Sequence, residues 1–451
     1  MLIKDIYRFY LPNKKRNSKI IDMKNALSNQ EPKGTQDWFP EEFSVRRYIF
    51  DTWRKVCLRY GFEEYLTPLV ESAEIYRAKS GEDIGGKELV TFQDLGGREL
   101  SIRPEMTPSV VRMLTKNYAS LPKPIKYFSI ANFMRNEKPQ RGRNREFWQL
   151  NCDVFGSESL LADLEVLQLA IDLVLEFDPP QGSFTVAINN RKLIEAVLDL
   201  SGANELSYET KIAVIRVLDK WNKLEKPELV RRLKEIGLEN EAVEILIKFM
   251  ESSSLTEITQ ELPVLKTNIG LLEIARILER LDDLGYGDLI EFRPSVIRGF
   301  DYYDGMVFEV LDNNPENNRA MFGGGRYNGL AEIFGEKNFP AVGFAPGDET
   351  FKLFLESWGL LDNIKLSLEE KYYLPLLDAN LETAAIKLAK EWRSRGFNVL
   401  TGLEEQKVGK ALDFANKKQI NKVIIVGEEE IDKGEYKIKD MATGEEKKRK
   451  F

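Results

Sequence analysis

From about Asn190 to Leu284 the sequence is almost wholly helical in pattern, dense in Leu, Ile and Glu, with strand signals on both sides. Those signals resume at Leu289–Leu311. The interruption reads as a helical module inserted into a β-containing domain, and it constrains everything around it. Before it, Glu41–Tyr60 has helical spacing through Phe43, Ile49, Phe50, Trp53, Val56 and Cys57, and Gly61 acts as a stop. Phe62–Val70 reads as a strand with Pro68 late in it, and Leu89–Phe92 and Glu99–Arg103 as a hairpin around Asp94-Leu-Gly-Gly97. Thr107–Tyr118 reads as a helix, Ile125–Phe133 and Glu146–Phe155 as strands joined by a basic loop, and Leu160–Phe177 as an amphipathic helix. Hairpins followed by helices predict an α+β fold, an antiparallel sheet flanked by helices.

After the helical stretch, Ala320–Leu330 carries a glycine run, and Val342–Phe354 reads as a strand entering a helix. Composition shifts again near Asn363–Lys371. Beyond it, strands at Tyr372–Leu377, Asn398–Leu400, Val423–Val426 and Tyr436–Lys439 alternate with helices at Leu381–Arg395 and Val408–Asn416. That is a small α/β unit with parallel crossovers. The basic tail Lys447-Lys-Arg-Lys450 is expected to be mobile. The domain reading is a flexible extension over 1–30, a main domain over 31–189 and 286–362, a helical insertion over 190–285 and an α/β domain over 368–451.

Composition excludes several classes. No run of about 18 apolar residues exists, so no membrane helix is expected. Cys57 and Cys152 form no CxxC pattern, which argues against a disulfide framework or a zinc site and suits a reducing compartment. Among the first 24 residues, seven Lys or Arg face Asp5 and Asp22 without a long apolar core. This fits an extension better than a secretory or transit peptide, with Met23 as an alternative start. A net charge of −8 argues against wholesale nucleic-acid coating but leaves room for a local basic path. The chain has no histidine, so imidazole acid–base or ligand chemistry is excluded. Carboxylates, Arg, Lys, Tyr and bound metal remain.

Four stretches concentrate chemistry. Arg298-Gly-Phe-Asp-Tyr-Tyr303 places a fixed cation, a carboxylate and two phenols within six residues, a kit for an anionic centre beside a small polar ligand. Phe133-Met-Arg-Asn-Glu-Lys-Pro-Gln-Arg-Gly-Arg-Asn-Arg-Glu-Phe147 sets Arg135, Lys138, Arg141, Arg143 and Arg145 between two strands, which suits a polyphosphate or a nucleic-acid end. In Ser101-Ile-Arg-Pro-Glu-Met-Thr107 a proline-stiffened strand exit is followed by a carboxylate and a hydroxyl. In Phe147–Gly156, alternation sends Gln149, Asn151 and Asp153 to one face and Trp148, Leu150, Cys152 and Val154 to the other, a polar face that lines a pocket. Each has a plainer reading when taken alone: a charged turn, a solvated hairpin, a strand-end turn, a solvent-facing sheet.

Taken in order, these stretches resemble the histidyl-tRNA synthetases, a class II aminoacyl-tRNA synthetase family. The likeness runs from about Pro32 to Lys439 and takes in Pro32–Trp38, Gly61–Pro68 (similar to motif 1), Phe322–Leu330 and Val342–Thr350 (similar to motif 3). It implies a catalytic domain with a helical insertion and a C-terminal anticodon-binding domain, a homodimer, a cytoplasmic setting, and ATP, Mg²⁺, histidine and tRNA(His) as partners. The resemblance places the α-phosphate grip and catalysis on Arg135 and Arg298, and ATP binding on Arg135, Glu137, Arg143 and Arg145. It places histidine binding on Glu105, Thr107, Gln149, Asp153, Arg298, Tyr302 and Tyr303, and acceptor-end contacts on Lys138 and Gln140; no metal ligand is assigned. Three positions depart from the family pattern. Asp153 stands where Glu is usual, Asn328 where Asp is more usual, and Thr350 where the helix carries an arginine for the γ-phosphate. The alternative is the family's regulatory paralogue of histidine biosynthesis, which binds histidine without charging tRNA and lacks the anticodon domain. A chain free of histidine would also not need its own product to be made; normal histidine content in neighbouring proteins would support that link.

Overall fold

The computed structural model describes residues 28–78, 86–203, 207–297, 303–317, 319–361 and 370–451. The chain divides into two units, Met1–Trp358 and Gly359–Phe451.

The first unit opens with α1 (Pro40–Arg59). Pro40 sits where a helix has no use for an N–H, and Glu42 accepts from the Phe39 N–H at 3.1 Å. Gly61, at φ +76°, takes the left-handed turn that ends the helix. The buried face of α1 carries Ile49, Phe50, Trp53, Val56 and Cys57.

Three short strands, β2 (Val70–Ser72), β3 (Val90–Gln93) and β4 (Glu99–Ile102), form a small antiparallel sheet beside α2 (Ala73–Arg77) and α3 (Thr107–Thr115). The main sheet has eight strands in the order β1-β5-β6-β11-β10-β9-β7-β8. Their ranges are β1 Glu63–Glu64, β5 Ile125–Met134, β6 Glu146–Phe155, β7 Phe184–Asn190, β8 Ile290–Phe292, β9 Met306–Asp312, β10 Ala320–Tyr327 and β11 Ala341–Phe344. The central pairings are antiparallel; only the outer pairs β1–β5 and β7–β8 are parallel. Helices α1 and α4 (Leu160–Leu175) pack together against one face of this sheet. On that face Trp148 meets Phe50 with ring centroids 5.3 Å apart, and the Cys152 and Cys57 sulfurs lie 3.3 Å apart. Arg326 of β10 pairs with Asp163 of α4, both buried, with Nε 2.9 Å from Oδ1. Helix α11 (Asp348–Ser357) follows β11 and presses Phe351 onto Trp53.

Among the described residues, six α-helices run between β7 and β8: α5 (Arg191–Leu200), α6 (Tyr208–Leu218), α7 (Lys226–Glu235), α8 (Asn240–Glu251), α9 (Leu255–Glu261) and α10 (Ile269–Asp283). Because β8 returns parallel to β7, this whole stretch is one crossover connection.

The strand signals over Leu289–Leu311 are β8 and β9. The structure departs from the sequence reading in three places. Phe62–Val70 splits into β1 and β2, because Pro68 offers no N–H to a ladder. Phe184–Asn190, unassigned in the sequence, is a buried strand whose closing asparagines are put to local use. Asn189 donates to the Pro294 carbonyl at 3.0 Å, and Asn190 caps α5 by accepting from the Lys192 N–H at 3.0 Å. The third departure lies in the second unit.

That unit holds β12 (Lys371–Leu376), β13 (Asn398–Glu405), β14 (Lys422–Ile425), β15 (Glu435–Asp440) and β16 (Glu446–Lys450) in the order β13-β12-β14-β15-β16. The first three are parallel, with crossover helices Glu382–Ser394 and Val408–Lys417. The tail expected to be mobile is β16, antiparallel to β15. A turn at Gly444, with φ +75°, folds it back, and cross-strand pairs Lys448–Glu435 and Lys439–Glu446, each at 3.0 Å, fix its register. A lysine-rich edge strand also resists pairing with another chain.

Candidate active site

The β5–β6 hairpin positions the site. Its register pairs Tyr127 with Asp153, Ser129 with Asn151, Ala131 with Gln149 and Phe133 with Phe147. Directly paired residues share a face, so these eight side chains lie on the face opposite Trp148 and Cys152.

The loop 135–145 leaves the open end of this hairpin. Pairing continues one step beyond the strands, with the Arg135 N–H donating to the Arg145 carbonyl at 2.8 Å. Arg135 lies over the Phe147 ring, 5.0 Å from its centroid, and its Nε donates to the Pro104 carbonyl at 3.0 Å. That leaves the rest of the guanidinium for another acceptor. Glu137 is 15% exposed and stands 3.9 Å from Arg143, while Arg145 Nε donates to the Glu137 carbonyl at 3.1 Å. Lys138 and Gln140 are exposed on the loop. The tip is a tight turn in which Gln140 and Arg143 exchange backbone hydrogen bonds at 2.9 Å, with Gly142 at φ +74°.

The opening segment crosses this loop at Gly34. Its carbonyl accepts from the Arg145 N–H at 2.8 Å, and a side chain there would collide with Arg145 and Pro139 at 2.8 Å. Trp38 then covers Arg46, whose guanidinium is 3.3 Å from the ring centroid. Arg46 is buried and pairs with both Asp348 and Glu349 at the start of α11. Glu349 also accepts from Asn144 of the loop at 3.1 Å. Burial pushes the Asp348 carboxyl up to about 7, against the pull of Arg46.

Arg103, Glu105 and Thr107 link β4 to α3. Buried Arg103 donates to the carbonyls of Asn132 and Thr67, both at 2.9 Å, and so locks this segment to the exit of β5. Glu105 and Thr107 are half-buried there, and Glu105 acts electrostatically on Tyr303.

At the far end of the hairpin face, Asp153 is 4% exposed and accepts from the Tyr327 hydroxyl at 2.6 Å. Desolvation raises its carboxyl to about 7, and the Tyr327 bond opposes that rise. Burial raises the phenols of Tyr65 and Tyr303, with Asp153 contributing to both. Opposite Asp153 stands Gly343, and a side chain at Gly325 would lie 2.9 Å from the Tyr303 ring. Glycines on β10 and β11 thus leave the floor open where the aromatic and acidic groups converge. Gln149 donates from Nε2 to the Ala345 carbonyl at 3.2 Å, which places it between the two ends.

The structure therefore brings Glu105, Thr107, Arg135, Glu137, Gln149, Asp153 and Tyr303 to one side of the sheet. Arg298 and Tyr302 lie outside the described residues, as does most of the N-terminal extension. Asn328, where the family more often has Asp, bonds to Asp304 from its backbone N–H at 3.0 Å and its amide at 2.9 Å. Thr350 spends its hydroxyl on the Met321 carbonyl at 2.8 Å. The sequence reading passed over Tyr327, Tyr65 and Arg46. Tyr327 could have been found by counting alternate positions from Gly323 and Gly325 along the glycine strand; the other two sit in segments whose pattern reports only a helix face and a strand. A separate cleft of about 230 Å³ beside Ser159, Leu161, Arg276 and Arg280 contains no carboxylate and lies at α4 and α10, on the helical side.

The family profile described as Histidyl-tRNA synthetase matches residues 34–348, and that of the Anticodon binding domain matches residues 366–451. The histidine–tRNA ligase of Leptospira biflexa is 40% identical over 92% of this chain and 94% of its own length. That of Pyrococcus horikoshii is 37% identical over 92% and 95%. The crystal structure of histidyl-tRNA synthetase from Nostoc sp. PCC 7120 superposes with a TM-score of 0.78 at 23% identity, covering 94% of this chain and 97% of that one. An ATP phosphoribosyltransferase regulatory subunit/histidyl-tRNA synthetase from Bacillus halodurans gives 0.70 at 21% identity, covering 87% and 97%. At these identities both structures speak to the fold alone.

Proposed function

The chain belongs to the histidyl-tRNA synthetase family, and from that premise we propose that it activates histidine with ATP and transfers it to the 3′ end of tRNA(His). The observation that carries this reading is the single sheet face on which Arg135 and Glu137 stand at one end and Asp153, Tyr303 and Tyr327 at the other, with Glu105 and Gln149 between.

Arg135, half-buried and oriented by Pro104 and Phe147, is assigned to the α-phosphate. It stabilises charge there as the histidine carboxylate attacks in line and pyrophosphate leaves. Glu137 and the cations Arg143 and Arg145 serve the rest of the nucleotide, and Arg298 is assigned beside Arg135. Glu105, Thr107 and Gln149 hold the substrate ammonium; Asp153, Tyr302 and Tyr303 read the imidazole. Buried polar partners of this kind reject a side chain that cannot pair with them. Lys138 and Gln140, exposed on the loop, meet the acceptor end. Mg²⁺ prefers phosphate oxygens, water and few carboxylates. Glu349, the carboxylate beside the loop, is taken up by Arg46 and Asn144, and no metal-ligating cluster stands among the described residues, so the triphosphate oxygens and water would hold the ion, which would neutralise their charge.

We assign residues 31–189 and 286–362 to catalysis, 190–285 to an insertion and 368–451 to anticodon recognition, in a cytoplasmic homodimer. No helix among the described residues is long and apolar enough to cross a membrane. The match of residues 366–451 to an anticodon-binding profile weighs against the regulatory paralogue. Amino-acid-dependent ATP–pyrophosphate exchange tests the reading: exchange with histidine alone supports it. Histidine binding without exchange would move the assignment to the paralogue.

A further inference from the structure

Three buried polar atoms on the site face have no hydrogen-bond partner among the described residues: Ser129 Oγ, Asn151 Nδ2 and Tyr65 Oη. Ser129 and Asn151 are directly paired across β5 and β6, at 0% and 4% exposure. Asn151 lies between Gln149 and Asp153 on the same face. Tyr65 is tied to β5 through its N–H, which donates to the Phe128 carbonyl at 2.8 Å. Its ring stands 5.8 Å from Tyr127 and packs against the buried cluster of Met106, Ala131 and Phe133. It therefore covers the stretch of β5 that contains Ser129. Folded proteins leave few buried polar groups unpaired, because each forfeits its water without a replacement. Three on one face, two of them directly paired on β5 and β6, mark a place where a polar ligand belongs.

We infer that Asn151, flanked by the Ser129 and Tyr65 hydroxyls, contacts the substrate side chain: the three form the polar floor of the amino-acid pocket beside Asp153 and hydrogen-bond a nitrogen-bearing ring. The inference rests on the reading of this face as the histidine-activating centre. Asp153 is one methylene shorter than glutamate, so it reaches less far towards the ring, and the floor supplies the donors and acceptors that the shorter acid does not. The amide of Asn151 can donate or accept, so it accommodates either ring nitrogen.

The test uses the full chain and three variants, Asn151→Ala, Ser129→Ala and Tyr65→Phe, with β-(2-thienyl)alanine as a ring of similar shape lacking nitrogen. In pyrophosphate exchange, Asn151→Ala is expected to raise KM for histidine about tenfold and to cut discrimination against the thienyl analogue about tenfold, with KM for ATP unchanged. Tyr65→Phe and Ser129→Ala remove hydroxyls that are unsatisfied without ligand, so they should leave the ligand-free Tm equal or higher and reduce the rise in Tm that histidine induces. A wild-type KM and wild-type discrimination in Asn151→Ala would overturn the inference. So would a lower ligand-free Tm in Tyr65→Phe with an undiminished histidine response. If the unaltered protein shows no histidine-dependent exchange, the catalytic reading fails; the histidine-induced Tm shift still decides whether the floor binds the side chain.

Discussion

The carboxylate of Asp153 occupies the space into which a side chain on Gly343 would project, from the directly paired position on β11. The glycine therefore shapes the proposed amino-acid pocket by leaving room for that carboxylate. Gly343→Ala should force Asp153 off Tyr327 and lower kcat/KM for histidine by about 100-fold, with ATP affinity kept. Steady-state pyrophosphate exchange with each substrate varied in turn checks this.

Asp153 also makes stability depend on pH. Its carboxyl titrates near 7 when folded, above the ordinary value of 3.8. The folded state thus binds the extra proton, and stability falls as pH rises from about 4 to 7. Asp153→Asn should match the parent near pH 4 and exceed it above pH 7 by on the order of 2–4 kcal/mol. Urea unfolding at pH 4 and pH 8 reads the difference, and an equal offset at both pH values would contradict it.

Arg46 joins the opening segment, α1 and α11 through Trp38, Asp348 and Glu349. Arg46→Met would strand two acids, one of them fully buried. A loss of about 3–5 kcal/mol is expected at pH 8, as for other broken buried pairs. The loss should shrink below the Asp348 titration near 7. Thermal melts across pH 5 to 8 test both parts.

The γ-phosphate cation is not supplied by residue 350, whose hydroxyl is held by the Met321 and Gly347 carbonyls. Arg319 brings a guanidinium to the same loop tip, 3.5 Å from the Arg141 carbonyl. Arg319→Ala should raise KM for ATP about tenfold, the value of one charge-assisted contact, while Thr350→Ala changes it less than twofold. The reverse ranking would remove Arg319 from the nucleotide site.

The sequence made the hairpin 125–155 legible because its strands are long and their alternation is clean. From that alternation came the shared face of Gln149, Asn151 and Asp153. What it could not show was contact between distant segments. Arg46 and Asp348 lie far apart in the chain, and nothing in a helix face announces an ion pair on the next layer. Tyr65 was equally hidden, because a two-residue strand has no period to read. The tail misled for a different reason: Lys447–Lys450 has the composition of a solvated end, and only the acids of β15 and the Gly444 turn make it a strand.

The site is built from carboxylates, guanidinium groups, amides and phenols, and the chain contributes no imidazole anywhere. In a complex with histidine, every ring-carbon proton of imidazole type therefore belongs to the ligand. Proton NMR of the unlabelled protein could follow the titration of the bound substrate without interference, and so report directly which ring nitrogen faces Asp153.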